Sequence, residues 1–92
     1  MPADPKTLPA GDLIEAGLAD LARGEETVAA LLVSIGSPRL RALGFAIGRP
    51  IPGAGRRLYD RLSAEDPDSA HSRYNALVRR LVSFERAAGC AR

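Results

Sequence analysis

The strongest constraint on the fold is the apolar pattern in the last third of the chain. Apolar side chains recur there at alternating steps of four and three residues, namely Ala70, Tyr74, Leu77, Leu81, Phe84 and Ala88. This spacing lays one continuous apolar seam along a helix. The pattern therefore predicts a single long amphipathic helix over residues 67–88, opened by Asp66-Pro67 and closed by Gly89.

The remainder of the chain predicts shorter helices. Their expected ranges are 12–23, 26–35, 38–43 and 56–62, with Asp12, Glu25–Glu26, Ser37-Pro38 and Gly55 at or near their starts. Helix 26–35 is apolar on nearly all faces, which is typical of a central helix. We therefore expect an all-α fold, a small bundle of four to five helices, with helices 26–35 and 67–88 as the main packing pair. No segment shows the clean two-residue alternation of a strand.

Glycines and apolar residues mark the connections. Gly17 inside the first helix indicates either a close helix crossing or a tolerated glycine, and Gly24 lies where a left-handed C-cap belongs. The segment 44–55 is rich in glycine and proline and reads as a loop. We expect three apolar side chains to hold this loop on the core, namely Phe45, Ile47 and Ile51.

Length and composition indicate one small domain. The 92 residues divide into a proline-rich, flexible arm over residues 1–11 and a single helical domain over 12–92. Cys90 is the only cysteine and reads as an exposed thiol beyond the last helix, which favours a reducing compartment. The longest apolar run, Val28–Val33, is too short to cross a bilayer. These features predict a cytoplasmic protein that does not enter the membrane.

Charge is distributed unevenly along the chain. Residues 1–36 carry a net charge of −4 and residues 37–92 a net charge of +6, with eleven arginines in the second part. One interpretation is a basic surface for nucleic acid. The other is a folded domain in which the acidic part lies against the basic part.

The polar face of the long helix is made of small side chains flanked by arginines. Small residues at steps of three, four and seven allow two helices to approach closely. The pattern predicts a partner-binding face, self-complementary in a two-fold dimer, although small side chains also tolerate water. The residues of this expected interface are Arg73, Ala76, Arg79, Arg80, Ser83 and Arg86.

One carboxylate interrupts the apolar seam. With Tyr74 at the centre of the seam, Val78 and Val82 fall within about 80° of it and Glu85 falls near the centre. Glu85 is then either a buried acid with a raised pKa or the anchor of an ion pair that selects a partner. The alternative is a residue that reaches water or meets one of three arginines, Arg39, Arg41 or Arg57.

Other polar groups suggest sites of lower specificity. His71 and Asn75 lie one helical turn apart and form, with Glu85, a possible polar site. Arg56 and Arg57 follow a glycine-rich turn at a helix start, a geometry that can hold an anion; the alternative is a plain connector that binds nothing.

Residues 26–43 fit a generic pair of packed helices joined by a turn, and equally a DNA-binding helix-turn-helix motif. Arg39 and Arg41 would then read DNA from the second helix, which is short for that purpose because Gly44 ends it.

No catalytic group, metal site or cofactor site is predicted. The chain has one histidine, one cysteine and no glycine-rich cofactor motif. The sequence therefore favours a small non-enzymatic interaction or regulatory module, expected to form a homodimer through the long helix. The alternative is a nucleic-acid-binding protein that uses its arginines.

Overall fold

The computed structural model describes residues 7–90, which fold into a bundle of five helices. The helices are α1 (Gly11–Ala22), α2 (Val28–Ile35), α3 (Ser37–Ala42), α4 (Ala54–Glu65) and α5 (Ala70–Cys90). The described residues contain no strand, so the all-α prediction is confirmed. Of the expected arm over 1–11, residues 1–6 lie outside the described part, Leu8 packs against the core and Gly11 begins α1.

Helix α2 lies at the centre of the bundle. Residues 30–33 are completely buried, as its sequence predicts. It packs most extensively against α1 and α4, whereas α5 packs mainly against α4 and only lightly against α2. The prediction that α2 and α5 form the main packing pair was therefore wrong, because α4 occupies much of the space beside α2.

The close contact between α1 and α2 depends on Gly17. A Cβ at this position would lie 2.5 Å from Val33 Cγ2 and would collide with the carbonyl oxygen of Ala29. The missing side chain lets the two helix backbones approach, so of the two interpretations of Gly17 the close helix crossing is the one that the structure supports. The packing gained offsets the roughly 1 kcal/mol that a glycine costs inside a helix.

Two helix starts differ from their predicted positions. Helix α1 follows Ala10, which has a left-handed backbone and no side-chain cap, so Asp12 lies in the first turn rather than at the cap. Helix α2 begins after Thr27, whose Oγ1 accepts a hydrogen bond from the Ala30 N–H at 3.1 Å. Glu26 therefore lies outside the helix. Gly24 has φ +74°, which confirms the predicted left-handed turn between α1 and α2.

The boundaries of α4 and α5 also differ from the prediction. Asp66 ends α4 because its N–H donates to the Leu62 carbonyl, and its carboxylate accepts from the Ser69 hydroxyl at 2.9 Å. Helix α5 consequently begins at Ala70. At its other end it continues through Gly89, beside Leu43, so Cys90 belongs to the helix and is exposed.

The loop between α3 and α4 is attached to the core. Its apolar residues Phe45, Ile47 and Ile51 pack against the buried cluster, as predicted, and the Phe45 and Phe84 rings have centroids 5.4 Å apart. The buried hydroxyl of Ser34 donates to the Ala30 carbonyl and accepts from the Ile51 N–H at 3.0 Å. The loop therefore shares a hydrogen-bonded side chain with the central helix.

We predict that Gly17→Ala lowers the free energy of unfolding by about 1–2 kcal/mol, because overpacking against a backbone carbonyl outweighs the gain in helix propensity. Urea denaturation followed by circular dichroism measures the change. Gly48→Ala is the matched control, since nothing lies within 4 Å of a Cβ there and stability should stay nearly constant. A Gly17→Ala protein as stable as the wild type would contradict the close packing of α1 on α2.

Candidate interaction surface on helix α5

The buried side of α5 is turned away from the position that the sequence predicts. Its fully buried residues are Ala70, Leu81, Phe84 and Ala88, whereas Tyr74 is only partly buried. On a helix of 100° per residue, their mean direction lies about 45° from Tyr74. Val82 and Glu85 therefore lie at the edge of the buried side and not within it, which corrects their predicted placement; Val82 is 37% exposed.

This rotation leaves an open groove where α5 passes the junction of α2 and α3. A depression of about 300 Å³ is lined by Ile35, Gly36, Pro38, Arg39, Val78, Leu81, Val82 and Glu85. A second depression of about 270 Å³ shares Arg39, Val82 and Glu85 with the first and adds Arg86. We call the two together the corner groove. Apolar side chains form most of the corner groove, and its charged lining residues are Arg39, Glu85 and Arg86.

Gly36 makes the floor of the corner groove possible. A Cβ on Gly36 would lie 2.9 Å from Leu81 Cδ1 and 3.0 Å from Glu85 Oε2. Leu81 and Glu85 therefore rest directly against the backbone that joins α2 to α3. This contact takes the Glu85 carboxylate partly out of water.

Partial burial makes the Glu85 carboxyl a weaker acid. Loss of hydration raises the pKa of Glu85 above its usual value, and the positive charge of Arg39 acts in the opposite direction. Within residues 7–90 no hydrogen bond or ion pair to the carboxylate is found. Of the three arginines considered from the sequence, Arg39 is the one whose charge acts on Glu85.

Most arginines outside the corner groove are engaged within the fold. The guanidinium of Arg57 donates to Glu26 at 2.8 Å, Arg56 pairs with Asp60 at 3.3 Å, and Arg73 pairs with Glu65 at 3.0 Å. Arg23 pairs with Asp20 and Glu25, and two further arginines, Arg41 and Arg61, donate to backbone carbonyls. An anion at the predicted Arg56–Arg57 site would have to compete with these carboxylates.

The remaining cations of α3 and α5 differ from this set. In the described part of the chain, no hydrogen bond or ion pair is found for Arg39, Arg79, Arg80 or Arg86. All four side chains are exposed. Three of them, Arg39, Arg79 and Arg86, flank the corner groove or continue its α5 edge, whereas Arg80 lies on the other side of α5.

The outward face of α5 is open to solvent. Ala76 and Ser83, which the sequence places on a partner-binding face, are exposed, as is Ser72 on the same face. They form a strip of small side chains between the arginines. The face therefore has the accessibility that its predicted role requires.

The predicted polar site does not assemble around one point. Asn75 Nδ2 lies 3.2 Å from His71 Nε2 on the exposed surface. Glu85 is 14 residues further along the same helix, about 21 Å from His71 at the helical rise. His71 and Asn75 thus form a local pair that Glu85 does not join. No three His, Cys, Asp or Glu side chains are grouped closely enough to hold a metal ion in the described range.

The α2–α3 pair has a short second helix. Helix α3 contains six residues, and the Arg41 guanidinium donates to the Gly48 carbonyl at 2.9 Å. Arg39 is therefore the one arginine of α3 that is not engaged with the following loop. A DNA reader of the helix-turn-helix type inserts a longer helix into the major groove.

Comparison of the chain with protein-family models, with curated proteins and with solved structures finds no match. Among the described helices, none combines the length and the apolar character needed to span a bilayer.

We predict that Glu85→Gln raises the free energy of unfolding at pH 7. The folded state binds a proton at Glu85 more readily than the unfolded state, so ionisation of this group costs stability as the pH rises. The gain from glutamine should be largest above the raised pKa and should disappear as the pH falls below about 4.3, the usual value for glutamate.

Denaturation between pH 3 and pH 8, at one low protein concentration, measures this dependence. Asp68→Asn, at an exposed carboxylate for which no ion pair is found within residues 7–90, controls for the loss of one negative charge. A Glu85→Gln protein that is less stable than the wild type at pH 7 would show that the carboxylate is stabilised by its surroundings, contrary to its partial burial.

Proposed function

We propose that this chain is a small, non-enzymatic protein-interaction module that binds its partner through the exposed side of α5. The observation that supports this proposal most strongly is a group of four exposed arginines on α3 and α5 for which no hydrogen bond or ion pair is found within residues 7–90, namely Arg39, Arg79, Arg80 and Arg86. Four other arginines pair with acids of the same chain, and Arg41 and Arg61 donate to backbone carbonyls. Three of the four exposed arginines lie on α5 and Arg39 lies on α3 beside it, so their positive charge is available to another molecule.

The apolar content of the same side favours a protein partner. Val82 is one of two large apolar side chains exposed in the described residues, and it lies between Arg79 and Arg86 on α5. Apolar surface with arginine around it is typical of protein interfaces, where arginine is enriched and lysine is depleted. We therefore place the binding surface on α5 and not on α1 or α4.

A second copy of the chain is one partner consistent with this proposal. The exposed small residues Ala76 and Ser83 would allow two α5 helices to approach closely in a two-fold dimer. Such a dimer would also bring the arginines of both copies together. Salt screens that repulsion over a Debye length of about 10 Å at 0.1 M and about 3 Å at 1 M. Self-association through this face should therefore become tighter as salt is added.

We predict that the wild-type chain self-associates more tightly in 500 mM than in 50 mM NaCl. The double variant Ala76→Lys with Ser83→Lys should be monomeric under both conditions, because bulk and charge replace the small strip. Analytical ultracentrifugation measures the dissociation constants. The double variant Ala16→Lys with Ala64→Lys adds the same charge to exposed alanines of α1 and α4 and should associate like the wild type. A wild type that stays monomeric in both buffers rules out the homodimer.

The same arginines support a second candidate function, the binding of nucleic acid. Four exposed guanidinium groups without carboxylate partners can neutralise phosphates, and such binding weakens as salt increases. Its salt dependence is thus opposite in sign to that of the homodimer. The two candidates can be separated with one purified protein.

Fluorescence anisotropy with a 20-base-pair DNA duplex and a 20-nucleotide RNA tests this candidate. If three to four phosphates are contacted, affinity should fall roughly a hundred-fold between 50 mM and 200 mM salt. The triple variant Arg79→Gln, Arg80→Gln and Arg86→Gln should lose most of the binding at 50 mM. Absence of binding by the wild type at 50 mM removes nucleic acid from consideration.

A further inference from the structure

The corner groove offers a binding site for a helix. It lies between two helices, α3 and α5, which leave an open furrow above Gly36. A furrow between helices accepts the side-chain ridge of another helix, as in the packing of bundles. Along α5 the groove extends from Val78 to Arg86, about 12 Å at the helical rise, which matches two to three turns of a bound helix.

The apolar and charged residues that line the corner groove determine which side chains a bound helix must carry. Ile35, Pro38, Val78 and Val82 present apolar surface that a row of apolar side chains would cover. Arg39 and Arg86 border the groove, and neither has a carboxylate partner among the described residues. Acidic side chains on both flanks of the bound helix would pair with these two arginines.

Glu85, on the floor of the corner groove, imposes a further requirement on a bound helix. Its half-buried carboxylate has no hydrogen-bond donor within the described part of the chain. A bound helix that covered it with apolar atoms alone would leave a charge without a partner, which is costly. The apolar row must therefore contain one hydrogen-bond donor that reaches Glu85.

We propose that the corner groove binds an acidic amphipathic helix of another protein, whose apolar row carries a single hydrogen-bond donor opposite Glu85. This inference rests on the proposed function, since it gives the interaction module a defined site and a defined partner chemistry. The partner lies against the α3-facing edge of α5. The small strip at Ala76 and Ser83 is on a different side of the same helix.

A display library of 16-residue helical peptides, selected on the wild-type chain, tests the proposal. Enriched peptides should be acidic and should repeat apolar residues at i, i+3 or i+4, and i+7. A parallel selection on the double variant Arg39→Glu with Arg86→Glu should enrich basic peptides instead. Enrichment of basic or uncharged peptides on the wild type, or no enrichment at all, overturns the proposal.

Affinity measurements on one synthesised acidic peptide locate the site. Fluorescence anisotropy should show at least a ten-fold loss for Val82→Gln and for Arg39→Glu, whose side chains are exposed and whose folds are checked by circular dichroism. Arg49→Glu makes the same charge change at an exposed arginine of the loop between α3 and α4, outside the corner groove, and should alter affinity by less than about two-fold. Glu85→Leu should weaken binding of the peptide that carries the donor but not of its donor-free counterpart.

Failure of this inference is distinguishable from failure of the proposed function. If Arg80→Glu abolishes peptide binding while Arg39→Glu does not, α5 remains the interaction surface and the corner groove is the wrong site. If wild-type dimers are dissociated by Val82→Gln alone, a second copy occupies the groove and the acidic partner is wrong. If no substitution on α3 or α5 changes affinity for the selected peptide, both proposals fail.

Discussion

The burial of the middle of α2, residues 30–33, is the constraint on which the rest of the structure depends. A short helix with apolar residues on nearly every face is stable only when other helices surround it. Helices α1 and α4 provide most of that cover, and α5 adds less. Helix α5 has 21 residues where α2 has eight, so the body of the protein cannot enclose it on all sides. The exposed side of α5 is a geometric result of covering a small core with a long helix.

The sequence was sufficient for the secondary structure class and for several local features. Gly17, Gly24 and the apolar anchors of the loop act through their own backbone or their nearest neighbours, so their roles could be predicted. The helix boundaries at Asp66 and Gly89 could not. Asp66 has the side chain of an N-cap, but its N–H closes the preceding helix. That competition between two helices is decided by packing.

The candidate site shows the same division between local and tertiary information. A helical wheel gives the angles between Val82, Glu85 and Leu81, but it does not say which direction faces the core. The helices packed against α5 determine which of its residues are buried, and the centre of the buried side is not at Tyr74. The ion pairs of the arginines are divided in the same way between local and tertiary information. Pairing of Arg56 with Asp60 follows from a four-residue spacing, whereas pairing of Arg57 with Glu26 joins residues 31 positions apart.

The hydroxyl of Ser34 has a consequence for how this protein opens. It ties the Ile51 amide to the central helix, so that amide is shielded by a residue of the most buried element. Release of the loop must leave a buried hydroxyl with one of its two bonds broken. Local opening of the loop therefore carries the cost of a buried hydroxyl that has lost one partner. The Ile51 amide should exchange with solvent more slowly than the amides of a loop that is not tied to the core.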